Sequence, residues 1–94
     1  MSEQTTHKEP GSLPEIDFGM FVMSLASSVL VHLGEIDHPD SRERAPNLQL
    51  AKQTIDILGM LREKTRGNLT QEEAQLLDNL LYDLRMKYVD AKKR

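Results

Sequence analysis

Two histidines and three carboxylates fall within nine residues of the chain, and side chains of these types can bind a divalent metal ion. Their spacing matches no established metal motif. The first histidine falls at the end of a helical stretch, where an imidazole interacts well with the last carbonyl groups. We therefore expect no metal and no cofactor. A small-ligand or metal-binding regulator that uses the acidic loop 35–40 is the alternative, and its candidate ligands are His32, Glu35, Asp37, His38 and Asp40.

A serine close to a histidine can be a nucleophile, and Ser24, Ser27 and Ser28 precede His32. A nucleophilic serine needs a base within hydrogen-bond reach and a third group that orients the base. On a helix, Ser28 and His32 are one turn apart, but no carboxylate is placed behind the histidine and the elbow motif of hydrolases is missing. The sequence therefore predicts no catalytic residue and a protein that is not an enzyme. We interpret the serines as small packing residues.

The stretch that positions these side chains carries no Asp, Glu, Lys or Arg from Phe18 to Leu33 and predicts a first helix over residues 17–33. Asp17 can cap its first turn, and Gly34 can adopt the left-handed conformation on which helices commonly end. Apolar side chains spread around most of its circumference. Such a helix must be buried, and in a chain of 94 residues we expect its burial to require a second chain.

Two further helices are predicted over residues 48–65 and 71–91. Asn47 can cap the second, and Thr70 with Glu73 forms a capping box for the third. Because Gly67 marks a tight turn between them, we predict that these helices form an antiparallel hairpin. The second helix has a wide apolar arc that can contact two neighbours, built from Leu48, Ala51, Ile55 and Leu58 and from the adjacent stripe Leu50, Thr54, Ile57 and Leu61.

The polar residues 1–15 are expected to be a disordered tail, so that residues 16–94 are one helical domain with a charged loop at 34–47. With 12 basic and 15 acidic residues, the chain lacks the excess of positive charge that is typical of nucleic-acid-binding proteins. The absence of Cys fits a reducing cytoplasm, and residues 1–14 lack the basic start of a secretory signal. The apolar run is short for a membrane span, and peripheral membrane association through the first helix is a further alternative.

We predict an all-α homo-oligomeric helical bundle in which the first helix packs across the hairpin and across another copy. Its role would be that of a non-enzymatic interaction or scaffold module. We expect a homodimer, and a tetramer is the second choice. Binding to an unidentified protein partner is a further alternative. On the third helix, Tyr82, Met86 and Val89 lie away from the core face and form either a plain exposed strip or a contact surface. The predicted oligomer interface comprises Phe18, Phe21, Val22, Leu25, Ser28, Val29, Tyr82, Met86 and Val89.

Several runs of the sequence resemble a known family. They are SLASSVLVHLGEI at residues 24–36, LAKQTIDIL at 50–58, KTRGNLT at 64–70 and LLYDLRMKYV at 80–89. They are similar to DUF1844, a small bacterial family described as a domain of unknown function, over about residues 16–90. The resemblance implies an all-helical, intracellular bacterial protein. It implies no activity, cofactor, partner or catalytic residue.

Overall fold

The computed structural model describes residues 15–36 and 46–93. It has three helices, α1 (Phe18–Leu33), α2 (Leu48–Lys64) and α3 (Gln71–Lys92), and these two ranges contain no strand. The predicted all-α class is confirmed, and each helix boundary lies within one residue of the predicted one. The predicted N-terminal tail and most of the predicted loop lie outside the described residues.

Each helix begins at the cap residue that the sequence predicts. The side chains of Asp17 and Asn47 each accept a hydrogen bond from the backbone N–H three residues later, at 2.8 and 3.0 Å. At the start of α3, Thr70 Oγ1 accepts from the N–H of Glu73 at 3.1 Å, and Glu73 Oε1 accepts from the N–H of Thr70 at 2.9 Å. These bonds satisfy N–H groups that the first turn of a helix leaves without partners.

The helix ends are also set by local hydrogen bonds. Gly34 has a φ of 83°, and its N–H donates to the carbonyl of Val31 at 3.0 Å, which ends α1. α2 ends within one residue of the predicted end, at Lys64 with Thr65 as its C-cap. The hydroxyl of Thr65 donates to the carbonyl of Leu61 at 2.7 Å, and Gly67, with a φ of 84°, belongs to the turn that follows.

The core is made of one apolar face from each helix, and each helix contacts the other two. The buried positions recur at spacings of three and four residues, which is the period of an α-helix face. Among the described residues, no polar or charged side chain is buried. The buried residues are Val22, Ala26, Val29 and Leu33 on α1, Ala51, Ile55 and Leu58 on α2, and Leu77, Leu81 and Leu84 on α3.

Contacts at the helix ends define how α1 lies on the other two helices. Its C-terminal end meets the start of α2, where the N–H of Asn47 donates to the carbonyl of His32 at 2.8 Å. Its first turns lie beside α3, since a Cβ on Gly19 would be 3.8 Å from Cδ2 of Leu76. Because 3.8 Å is an ordinary van der Waals distance, a Cβ would fit here, and the packing of α1 on α3 does not require a glycine at this position.

Candidate interaction surface

The face of α1 that points away from the core is exposed and uncharged. Met20, Phe21 and Met23 are 39%, 40% and 47% exposed, and three exposed serines follow them along the helix. A surface helix normally covers its outer face with charged side chains, but α1 has none. Helices α2 and α3 therefore cover one side of α1 and leave its other side, within the described residues, as an apolar and serine-lined surface.

The structure divides the interface residues predicted on α1 into two groups. Val22 and Val29 are fully buried among the three helices of one chain. A second copy that packs on the outside of this bundle does not contact them. The other predicted residues on α1 are exposed or partly buried, and they are Phe18, Phe21, Leu25 and Ser28.

The strip predicted on α3 is exposed and borders a cleft between α2 and α3. Tyr82, Met86 and Val89 all have more than a third of their surface exposed. Tyr82 and Met86 line a cleft of about 290 Å³, and Gly59 on α2 forms part of the opposite wall. The cleft also contains charged side chains from both helices, so its lining is partly apolar and partly charged.

Three of the four charged side chains that line this cleft are paired. Arg62 binds Asp78 through two hydrogen bonds, and the guanidinium holds the pKa of that carboxyl below its ordinary value. Glu63 accepts from Arg66 at 2.6 Å, and this hydrogen bond lowers the pKa of Glu63 in the same way. Since these pairs are largely solvent-exposed, their contribution to stability is modest.

The described residues that were candidates for catalysis or metal binding are hydrogen-bonded to the backbone or lie apart from one another. Ser24 Oγ donates to the carbonyl of Phe21 at 2.7 Å, and His32 is partly buried at the end of α1. Glu35 follows the helix in an exposed position. Over the residues that the structure describes, no group of three or more metal-ligand side chains converges. Three candidate ligands lie outside those residues, namely Asp37, His38 and Asp40.

Sequence reasoning missed an exposed apolar stripe on α2. Leu50 and Ile57 were expected to contact neighbouring helices, but 42% and 37% of their surface is exposed. Leu61 and Thr54, on the same stripe, are partly buried. The signal was present in the width of the apolar arc, which exceeds what α1 and α3 cover.

None of the described helices combines the length and the apolar character needed to cross a membrane. The described residues define a small all-α domain of three helices with an uncharged outer surface on α1. The chain belongs to the DUF1844 family, a domain of unknown function, whose model matches residues 15–90. The resemblance seen in the sequence is thereby confirmed. Comparison with curated proteins gave no match, and comparison with solved structures gave none.

Proposed function

We propose that this protein is a non-enzymatic interaction module that self-associates through the outer face of α1, first as a two-fold homodimer. The observation that carries the proposal is the exposure of Met20, Phe21 and Met23 on a helix without a single charged side chain. Burying a large apolar side chain contributes about 1.5–3 kcal/mol. Covering this face would therefore add a large share of the roughly 5–15 kcal/mol by which a small domain is stable.

The proposal assigns no reaction to the chain. The hydroxyl of Ser24 is already bonded to the carbonyl of Phe21, so it is not oriented by a base. In the α2–α3 cleft Arg62 binds Asp78, and Glu63 binds Arg66, so these charged groups do not converge on a common point. These contacts favour a binding role over catalysis. We place this role in the bacterial cytoplasm, in keeping with the family resemblance and the lack of Cys.

We also propose that α2 and α3 form an antiparallel hairpin that supports α1. Arg62 on α2 contacts Asp78 on α3, and Gly59, one turn earlier on α2, lies beside Arg85, further along α3. The contacts therefore run in opposite chain directions on the two helices. The short turn that contains Gly67 connects them in the manner of a helical hairpin.

Size-exclusion chromatography with light scattering over a dilution series tests the proposed self-association. We expect the mass of two chains at micromolar concentration, falling towards one chain on dilution. The thermal unfolding midpoint should rise with protein concentration, because association stabilises the folded chain by mass action. A single-chain mass over the whole series, with an unfolding midpoint independent of concentration, would overturn the proposal.

A further inference from the structure

The exposed apolar side chains of α1 are not all on the same flank of that helix. Gly19 lies against Leu76, so the flank that carries Gly19 faces α3. Successive residues of a helix are rotated by about 100°, which places Phe21 about 160° away from Gly19 and Met23 only about 40° away. Phe21 therefore lies on the flank turned away from α3, and Met23 lies on the flank near α3.

The exposed stripe of α2, which contains Leu50 and Ile57, also lies on a flank turned away from α3. Arg62 faces α3, because it binds Asp78. Ile57 and Leu50 lie about 140° and 120° away from Arg62 around the helix axis, on the flank turned away from α3. Since the three helices all contact one another, the flanks of α1 and α2 that turn away from α3 adjoin. Together they form a surface that we name the α1–α2 groove, which comprises Phe21, Leu25, Leu50, Thr54, Ile57 and Leu61.

We propose that the partner of the α1–α2 groove is the same groove of a second copy, docked face to face about a two-fold axis. This inference rests on the proposed self-association and specifies its surface. No Asp, Glu, Lys or Arg occurs on α1 or among the four groove residues of α2, and Lys64 borders the groove only at the end of α2. A partner with charges at these positions would lose their hydration without gaining a counter-charge.

The same reasoning selects another copy as the occupant. The α2–α3 cleft carries Arg62, Glu63, Asp78 and Arg85, so it does not match an uncharged groove. A second copy offers a surface of the same uncharged character, namely its own α1–α2 groove. Contact between identical patches gives an isologous dimer, which closes after two copies.

The dimensions of the groove suit a weak dimer. With 16 residues α1 is about 24 Å long, and two neighbouring helices are about 20 Å wide, which gives a projected face of about 480 Å² per copy. Two such faces bury about 960 Å², which is below the roughly 1,200–2,000 Å² of stable specific interfaces and corresponds to a weak, concentration-dependent dimer. Ser24 at the edge of this face has its hydroxyl bonded internally to the carbonyl of Phe21, so its burial leaves that donor satisfied.

Glutamate substitutions on two flanks of the bundle test this surface in the full chain. Phe21→Glu and Ile57→Glu place a carboxylate in the groove, and Tyr82→Glu and Met86→Glu place one at exposed positions of α3, outside it. We expect the two groove variants to weaken the dimer by at least about tenfold, because the carboxylate would be buried without a partner. The two control variants should keep the wild-type dissociation constant, and circular dichroism should show native helix content in all four.

Cysteine cross-linking gives a second readout that does not depend on destabilising the dimer. The chain contains no Cys, so each single-cysteine variant reports one position. Ser28 lies about 180° from Gly19, on the groove flank, whereas Ser27 lies about 80° from Gly19. With a short bis-maleimide reagent, Ser28→Cys should give covalent dimer in at least about tenfold higher yield than Ser27→Cys, because a shared interface holds reactive groups at high effective concentration.

The outcomes separate this inference from the proposed function. Dissociation of the groove variants alone, with preferential cross-linking at position 28, supports the α1–α2 groove. If wild type is dimeric but the control variants dissociate as readily, or the groove variants remain dimeric, the groove assignment is overturned while self-association stands. A monomeric wild type overturns both.

Discussion

Arg62 of α2 and Asp78 of α3 form a bidentate ion pair, with Nε 2.6 Å from Oδ1 and Nη2 3.2 Å from Oδ2. The two hydrogen bonds require the guanidinium and carboxylate planes to align, so the pair fixes the register between the two helices. It also pairs a positive charge on α2 with a negative charge on α3. Its carboxylate is half-exposed, so water screens the attraction between the two charges.

The first prediction concerns the pH dependence of this pair. The hydrogen bond from Arg62 lowers the pKa of Asp78 from its ordinary value of 3.8. A carboxyl whose pKa is lower in the folded state stabilises the fold above its unfolded pKa, and that contribution is lost as the pH falls through the folded value.

We therefore expect Asp78→Asn to be less stable than wild type at neutral pH, and the difference to shrink as the pH is lowered below 3.8. Urea unfolding followed by circular dichroism, in matched titrations of both proteins, measures this difference. A difference that persists unchanged at the acidic end would show that the asparagine acts through packing and not through the charge.

The second prediction concerns the buried face of α1. Val29 is fully buried, so Val29→Asp places a carboxylate among apolar side chains without a partner, at a cost of several kcal/mol, roughly the stability of a small domain. We expect this variant to lose its helical circular dichroism signal or to fail to assemble. Ser27→Asp, with the same new side chain at an exposed position of α1, should keep its helix content. A folded Val29→Asp of native size and stability would contradict this placement.

The third prediction compares the two glycines with positive φ. Gly34 and Gly67 have nearly equal φ values of 83° and 84°, but a Cβ on Gly34 would lie 3.2 Å from Cγ of Pro46, whereas one on Gly67 meets no atom within 4 Å. Alanine at either position should cost about 1–2 kcal/mol for the left-handed backbone. Gly34→Ala should cost more than Gly67→Ala, because the ring of Pro46 must also move. Thermal unfolding of the two variants measures both effects, and equal losses would show that Pro46 yields freely.

The fourth prediction is a stabilising substitution at Gly59. Alanine in a helix interior is favoured over glycine by about 0.5–1 kcal/mol, because it leaves less backbone freedom to be lost on folding. A Cβ there would lie 3.1 Å from Nη2 of Arg85, which is the far end of an exposed and flexible side chain. We expect Gly59→Ala to raise the unfolding midpoint.

The Arg85→Ala background provides the control for this substitution. If Arg85 simply moves aside, Gly59→Ala should give the same gain in free energy of unfolding with and without the arginine. A loss of stability that disappears in the Arg85→Ala background would instead show that the guanidinium is held in place.

Local sequence signals predicted the elements well because the interactions that define helix ends span only three or four residues. Asp17, Asn47 and Thr70 each accept a bond from the N–H three residues later, as their residue types indicate. The buried residues Ala51, Ile55 and Leu58 of α2 followed in the same way from the helical period of its apolar residues. Gly67 likewise indicated the turn between α2 and α3, where its φ is 84°.

The sequence by itself determined that the chain forms three helices, where each begins, and that α1 carries no charge. Only the tertiary structure decided which face of α1 is covered, with Val29 inside and Phe21 outside, and that Ile57 on α2 stays exposed. The physical reason is that an amphipathic helix points its apolar side inwards, but a helix that is apolar on nearly all sides has no such preference. Its orientation is set by how its side chains fit against α2 and α3, which depends on contacts between residues far apart in the chain.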